Sequence, residues 1–167
     1  MLFRDARPDE LDEVGELTAE AYGDLVSERY ALVLRDARTR ARDAQIIVCI
    51  DAGQLAGAAT FVAHGGPWSE IAQADEAEFR MLAVDAGARG RGIGAALVEH
   101  MLGLSAHLGR QRLVCSSAND MTAAHRLYER LAFTRAPERD WSPVDGVTLC
   151  VFARDLTAHG SAPFVPS

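Results

Sequence analysis

The 167-residue chain contains no lysine, so all 17 of its basic residues are arginines, and 24 Asp and Glu residues give it a net charge of −7. A domain that binds nucleic acid normally presents an excess of basic residues on one face. The arginines at positions 35, 38, 40 and 42 form a cluster, but Asp36 and Asp43 lie among them. We therefore expect no nucleic-acid partner.

Cysteine is also scarce, and the histidines are scattered. Cys49, Cys115 and Cys150 lie singly in apolar segments without C-x-x-C spacing, which is typical of buried thiols rather than of a disulfide framework. The five histidines show no paired-ligand pattern such as H-E-x-x-H. The sequence therefore predicts no metal site.

Long hydrophobic runs are missing as well. No apolar stretch approaches the roughly 18 residues that a membrane span requires, and the first residues, MLFRDARP, lack the apolar core of a signal peptide. With 49% hydrophobic residues, a chain of this length can bury the core of one domain without cross-links. We expect a cytoplasmic domain over residues 1–156, no membrane association, and a loose tail over residues 157–167.

Hydrophobic periodicity predicts an α/β layered structure, because strand-like and helix-like segments alternate along the chain. A hairpin is expected around Asp51-Ala52-Gly53. The predicted strands cover residues 2–4, 45–51, 54–64, 78–85, 112–116, 133–135 and 147–152, and the predicted helices begin at Pro8 and cover residues 25–43, 92–108 and 121–131.

The most informative segment runs from Glu78 to Leu97 and reads EFRMLAVDAGARGRGIGAAL. An apolar strand ends at Val84 and leads into a glycine-rich turn that opens a helix. Glycines allow the backbone to curl closely around a ligand, and the free amides and positive dipole end of a helix start attract anions. This turn predicts a pyrophosphate site, and its arginines and glycines are Arg89, Gly90, Arg91, Gly92 and Gly94.

One alternative for this turn is a dinucleotide site, because residues 90–95 loosely satisfy G-x-G-x-x-G/A. In such a site the first glycine follows the strand tightly, whereas residues 85–89 intervene here. A dinucleotide site also carries an acidic residue about 20 positions further on, and residues 109–116 contain no carboxylate. The context therefore disfavours the dinucleotide interpretation.

The other interpretation uses R-x-x-G-x-G, with Arg89, Gly92 and Gly94 at the defined positions. This motif resembles the signature of the GNAT superfamily of N-acetyltransferases, in which the loop binds the pyrophosphate of acetyl-CoA. A separate segment, AHRLYERLAF at residues 124–133, resembles the family's A-x-x-L-Y-E-x-L-G-F helix and strand. The resemblance covers about residues 1–155. It implies a single-domain GNAT-like fold with a mixed central sheet of about six to seven strands and helices on both faces.

The resemblance also implies which residues contact acetyl-CoA. In this family a bulge splays the fourth strand from the fifth, so that free backbone groups meet the acetyl and pantetheine portions. By position, the Leu82 amide would face the thioester oxygen and Val84 would give the next contact. The expected cofactor-binding residues are Leu82, Ala83, Val84, Arg89, Gly90, Arg91, Gly92, Ile93, Gly94 and Ala95.

Two catalytic residues follow from the same resemblance. Tyr128 matches the tyrosine that protonates the departing thiolate, and Glu78 stands where some members carry a glutamate base. Because the family varies its base and often uses a water, other carriers of the amine proton stay open. Those near in sequence are His64, Glu70, Asp75 and Glu76.

The sequence departs from the family pattern at two positions. The asparagine that often precedes the tyrosine by seven residues is Met121 here, so we transfer no pantetheine contact to that position. The glycine before the last phenylalanine is Ala132, which affects only local strand geometry. Neither change falls in the pyrophosphate loop.

Together these features predict an N-acetyltransferase that moves acetyl from acetyl-CoA to a primary amine of a small molecule by direct attack in a ternary complex. The acceptor pocket is expected near the first two helices and the loops of Trp68 and Trp141. The alternatives are a protein or peptide N-acetyltransferase and an acyl-CoA sensor without turnover. A homodimer is possible, since dimers are common among similar proteins.

Overall fold

The computed structural model describes residues 1–156, and in them seven strands form one mixed sheet of order β1-β2-β3-β4-β5-β7-β6. All neighbouring strands are antiparallel except β4 and β5. The expected fold is confirmed, whereas the tail predicted at 157–167 lies outside the described residues. The strands are β1 (Leu2–Asp5), β2 (Gln45–Asp51), β3 (Gln54–Val62), β4 (Glu76–Val84), β5 (Arg112–Ala118), β6 (Thr134–Arg135) and β7 (Leu149–Asp155).

Helices cover both faces of this sheet, and the alternation of side chains along β2 shows how. Ile46 and Val48 pack with residues of the helices before β2, whereas Ile47 and Cys49 pack with those of the helices after β4. Successive strand residues point to opposite faces, so a continuous apolar run supplies both cores. The helices are α1 (Leu11–Tyr22), α2 (Glu28–Arg35), α3 (Ala37–Arg40), α4 (Ile93–His107) and α5 (Thr122–Arg130).

The region predicted as one helix over residues 25–43 contains two short helices instead, so that prediction was wrong. The chain breaks at Asp36, whose ψ of 64° is not helical. The Asp36 carboxylate accepts a hydrogen bond from the Thr39 amide at 3.0 Å and caps α3. Aspartate competes with the helical backbone in this way, and periodicity alone does not reveal it. The β2–β3 hairpin is confirmed, with positive φ at Ala52 and Gly53.

A β-bulge interrupts β4 at Met81. Its φ is +55°, and the register shifts from Ala58↔Ala83 to Thr60↔Arg80, which leaves one extra residue in β4. An extra residue exchanges the faces to which the following side chains point. Phe79 packs towards α4 and α5 before the bulge, and Leu82 and Val84 do so after it. Met81 packs instead with α1 and α2.

Ala132, where the family motif has glycine, lies in the left-handed region with φ of +59°. An L-residue there carries a cost of roughly 1–2 kcal/mol that glycine avoids. Glycine loses more chain entropy on folding, which offsets part of the gain. We expect Ala132→Gly to raise the free energy of unfolding in urea by about 1 kcal/mol. Ala123→Gly, in α5, should lower it, and a decrease in both variants would contradict the backbone argument.

Candidate active site

The site is built around an opening between β4 and β5. The two strands pair only from Glu76↔Arg112 to Glu78↔Val114. Beyond that point β4 runs to Val84 beside β3, and β5 runs to Ala118 beside β7. Their facing edges, residues 79–84 and 115–118, therefore have no partner among the described strands. We call this space the β4–β5 opening.

Backbone alternation determines which β4 amides face the opening. The Asp85 amide donates to the Ala56 carbonyl of β3 at 3.0 Å. Hydrogen-bonding groups alternate between the two edges of a strand, so Ala83 also faces β3. The amides of Leu82 and Val84 consequently point towards the opening. Their contact with a cofactor stays a prediction.

The glycine-rich turn stands where β4 leads into α4. Gly90 and Gly92 have φ of +75° and +78°, and a Cβ added at either would meet no atom of the described residues within 4 Å other than its chain neighbours. Gly92 is the N-cap of α4, and the first intrahelical hydrogen bond runs from the Ala96 amide to the Gly92 carbonyl. The preceding amides have no intrahelical acceptor. The turn therefore presents free donors and open space to an anion.

The remaining residues of the turn differ in their burial and in their contacts. Gly94 has ordinary room for a Cβ, 3.5 Å from Val84 Cγ2, and Ile93 is buried in the core. Arg89 is exposed. Arg91 is paired with Asp51 of the β2–β3 hairpin, a contact between residues 40 positions apart that the sequence did not indicate. The phosphate-binding role of these residues stays a prediction.

Tyr128 approaches the opening from the α5 side. It is 5% exposed and packs edge-on against Phe79, with ring centroids 5.7 Å apart, and against Phe133 and Phe152. Burial raises the pKa of its phenol well above the usual value, and the neighbouring Cys115 thiol raises it further. The hydroxyl is therefore protonated at neutral pH, as a proton donor must be. Cys115 itself is buried, as are Cys49 and Cys150.

Glu78 lies where β4 and β5 separate, and its carboxylate is completely buried. Oε2 accepts hydrogen bonds from the amides of Glu70, Ile71 and Ala72 at 2.9, 3.1 and 3.2 Å. The Ser69 hydroxyl donates to the same oxygen at 3.3 Å. Oε1 is buried and has no hydrogen-bond partner among the described residues. Glu78 thus holds residues 69–72, which we call the β3–β4 loop, against the sheet.

A second buried glutamate holds the start of β4 and the residues just before it. Glu76 forms a bidentate salt bridge with Arg139, at 3.0 and 2.8 Å, and accepts a hydrogen bond from the Gln73 amide at 2.9 Å. Arg139 also donates to the Ile71 carbonyl at 2.7 Å. The arginine hydrogen bonds lower the pKa of Glu76, although burial opposes them. Glu76 is therefore an ionised structural anchor, and no sequence pattern indicates its partner 63 positions away.

A polar and aromatic cluster lies on the opposite side of β4, beside the Met81 bulge. Arg80 donates to the Trp68 carbonyl at 3.1 Å, lies 5.8 Å from the centre of the Trp68 ring, and pairs with Glu70 at 2.5 Å. Tyr22 of α1 and Tyr30 of α2 face Arg80, and burial raises the pKa values of both phenols. We call this set the α1–α2 cluster, and its members are Tyr22, Tyr30, Trp68, Glu70 and Arg80.

The structure therefore brings two groups of residues to the β4–β5 opening from opposite faces of the sheet. Tyr128 and the glycine-rich turn lie on the α4–α5 side, and the α1–α2 cluster lies on the other. Trp68 and Glu70 are candidates from the sequence, whereas Arg80, Tyr22 and Tyr30 are not. The position of Arg80 next to the bulge residue Met81 is the signal that could have found it.

In the described part of the chain, no group of three or more His, Cys, Asp or Glu side chains is arranged to hold a metal ion. Within residues 1–156, no helix is both long and apolar enough to cross a membrane.

Known proteins share this sequence pattern and this fold. The family model described as the Acetyltransferase (GNAT) family matches residues 11–133. An N-acetyltransferase from Staphylococcus aureus Mu50 is 21% identical, with a TM-score of 0.67 over 93% of this chain and 98% of that one. A ribosomal-protein-alanine N-acetyltransferase from Brucella melitensis is 19% identical, with a TM-score of 0.67 over 93% and 99%.

A third solved structure contains the cofactor. The proposed acetyltransferase from Salmonella typhimurium, solved with acetyl-CoA, is 19% identical, with a TM-score of 0.64 over 98% of each chain. A search of the curated proteins gave no match. These TM-scores establish the fold, and the family model spans both the glycine-rich turn and the Tyr128 helix. The chain therefore belongs to the GNAT family of acetyltransferases and is an acyltransferase.

Proposed function

We propose that the enzyme transfers an acetyl group from acetyl-CoA to a primary amine of a small molecule by direct attack in a ternary complex. The main support for this proposal is the β4–β5 opening, because three features that acetyl-CoA would use border it. They are the α4 N-terminus at one end, the free amides of Leu82 and Val84 along one edge, and the Tyr128 phenol on one wall.

The cofactor fits this opening by charge and by hydrogen bonding. The pyrophosphate of acetyl-CoA occupies the turn at Gly90 and Gly92, where free amides and the helix dipole attract two phosphates. The pantetheine arm lies in the opening and accepts hydrogen bonds from β4 as an added strand would. The exposed Arg89 adds positive charge to this phosphate site. Arg91 also adds positive charge, although it is paired with Asp51.

The reaction then needs three events at the thioester. The neutral amine attacks the carbonyl carbon, the carbonyl oxygen becomes negative, and the C–S bond breaks to release a thiolate. The Leu82 amide faces the oxygen and stabilises its charge, a contribution whose loss typically costs about 10²–10³ in rate. Tyr128 donates its phenolic proton to the thiolate. The family places the proton of the amine on a carboxylate or water.

The acceptor enters from the α1–α2 side. Its binding region is walled by Tyr22, Tyr30 and Trp68, which are half-buried around Met81. Half-buried aromatic walls enclose a ligand of limited size, which supports a small molecule as the acceptor. Acetylation of a protein N-terminus is the second candidate, since the Brucella melitensis structure with the same fold carries that activity in its name.

Thiol release from acetyl-CoA, measured over matched panels of small amines, aminoglycosides and N-terminal peptides, tests the proposal directly. We expect the highest kcat/KM with a small primary amine. Greater turnover with peptides would favour the second candidate. Saturable binding of acetyl-CoA with no turnover of any acceptor would contradict an enzymatic role and indicate a sensor.

A pair of glycine variants at the two ends of α4 tests the pyrophosphate assignment. Gly92 and Gly109 both have positive φ, +78° and +69°, and both have open space where a Cβ would stand. Gly92→Ala and Gly109→Ala should therefore lose similar stability, about 1–2 kcal/mol each. Only Gly92→Ala places a methyl group in the phosphate site, so only this variant should bind CoA at least tenfold more weakly in titration calorimetry. Equal CoA affinity in the two variants would refute the assignment.

Tyr128→Phe tests the proton donor. The variant keeps the ring that packs against Phe79 and removes only the hydroxyl, so the melting temperature and acetyl-CoA affinity should change little. General acid catalysis typically contributes about 10²–10⁴ in rate, and we expect kcat to fall within that range. A kcat within about twofold of the parent, with chemistry shown to limit the rate, would leave Tyr128 as a packing residue.

A further inference from the structure

We propose that Glu70 accepts the proton from the ammonium of the acceptor, and that Glu78 is a positioning residue that holds the loop carrying Glu70. This inference rests on the proposed function and assigns one step of it. The sequence left the proton carrier open among Glu78, a water and four neighbouring side chains. The contacts of those side chains distinguish them.

The two buried glutamates are poorly placed for this step. The oxygens of Glu76 are occupied by Arg139, Arg112 and the Gln73 amide. Glu78 Oε2 already accepts from four donors of the β3–β4 loop, and Oε1 is buried although it has no hydrogen-bond partner within residues 1–156. Because Oε1 is buried, an amine can reach it only if the structure around it opens. The unpartnered oxygen therefore marks an anchor under the loop rather than an open base.

Glu70 has the access that Glu78 lacks. Its side chain is 27% exposed, and its carboxylate lies in the α1–α2 cluster through the 2.5 Å contact with Arg80. Arg80 precedes the bulge residue Met81, so this carboxylate stands at the acceptor side of the opening. Asp75 lies before the start of β4, and no described contact joins His64 to the cluster.

Glu78 determines where Glu70 stands. The Glu70 amide donates to Glu78 Oε2 at 2.9 Å, and the next two amides of the loop donate to the same oxygen. Three amides on one oxygen fix the backbone direction of the loop. The Glu70 side chain is in turn held by Arg80, whose guanidinium is bound to the Trp68 carbonyl.

The charges around Glu70 suit a proton acceptor. Burial raises the pKa of its carboxyl above the usual value, Arg80 lowers it, and the Glu78 carboxylate raises it again, with a net increase. Tyr30 of α2 also faces this group, and its raised pKa keeps it neutral. A carboxylate with a raised pKa is a stronger base than an exposed glutamate and is still ionised above that pKa.

A proton moves from the R–NH₃⁺ nitrogen to a Glu70 oxygen, which gives a neutral amine and a neutral carboxylic acid. The amine lone pair forms the C–N bond, the C–S bond breaks, and the thiolate takes the Tyr128 proton. After attack the nitrogen carries two protons; it passes one to the tyrosinate and keeps the other as the amide N–H, and Glu70 releases its proton to solvent, which restores the site.

Two glutamine variants separate the base from the anchor. Glu70→Gln keeps an oxygen for Arg80 but removes the base, so kcat/KM should fall by about 10²–10⁴ with little change in melting temperature. The fall of kcat/KM at acidic pH that reports Glu70 should disappear with it. Glu78→Gln keeps an acceptor oxygen for the loop amides, so it should retain the acidic limb, moved to lower pH because the Glu78 charge no longer raises the pKa of Glu70, and remain within about tenfold of the parent.

Further variants control for folding. Glu99→Gln makes the same change on the exposed surface of α4 and should match the parent. Glu70→Asp retains a carboxylate and should recover the acidic limb at a reduced rate. Glu78→Ala removes the anchor and should lower the melting temperature as well as the rate.

Two results would overturn the inference while the parent remains active on amines. One is turnover of Glu70→Gln within threefold of the parent, and the other is loss of the acidic limb in Glu78→Gln. Absence of turnover in the parent with every acceptor would contradict the proposed function itself, and the inference with it.

Discussion

The extra residue at Met81 is the constraint on which the site depends. It shifts the β3–β4 register by one position, and the pairing of β4 with β5 ends just before it at Glu78. The same residue turns Leu82 and Val84 towards α4 while Met81 and Arg80 remain on the α1–α2 side. One irregularity thus opens the sheet, exposes a polar backbone edge and gives the opening two chemically different walls.

The unpaired edge would be a liability elsewhere, because free strand edges attract other chains. Here two buried glutamates brace its surroundings. Glu78 binds the β3–β4 loop at the point where the strands separate, and Glu76 ties the start of β4 to Arg139 beyond β6. Buried carboxylates are costly unless their oxygens are hydrogen-bonded. Hydrogen bonds to both oxygens of Glu76 and to Oε2 of Glu78 stabilise the fold around the opening.

The sequence predicted what is local and periodic. A hairpin is predicted at Asp51-Ala52-Gly53 because its turn needs residues with positive φ. The glycine-rich turn predicts the start of a helix because its glycines can also adopt positive φ. The break at Asp36 escaped prediction because a capping side chain, rather than a change in hydrophobic pattern, ends α2. Sequence patterns also do not specify side-chain pairs between distant residues, such as Arg91 with Asp51 or Arg139 with Glu76.

Hydrogen exchange of individual amides, measured by NMR with and without saturating CoA, tests the central claim that the cofactor lies along the free edge of β4. The amides of Leu82 and Val84 point towards the opening and should exchange more slowly when the pantetheine arm accepts their hydrogen bonds. Amides of β1, at the far edge of the sheet, should show no comparable slowing. Saturated CoA binding with unchanged exchange at Leu82 and Val84 would contradict the account.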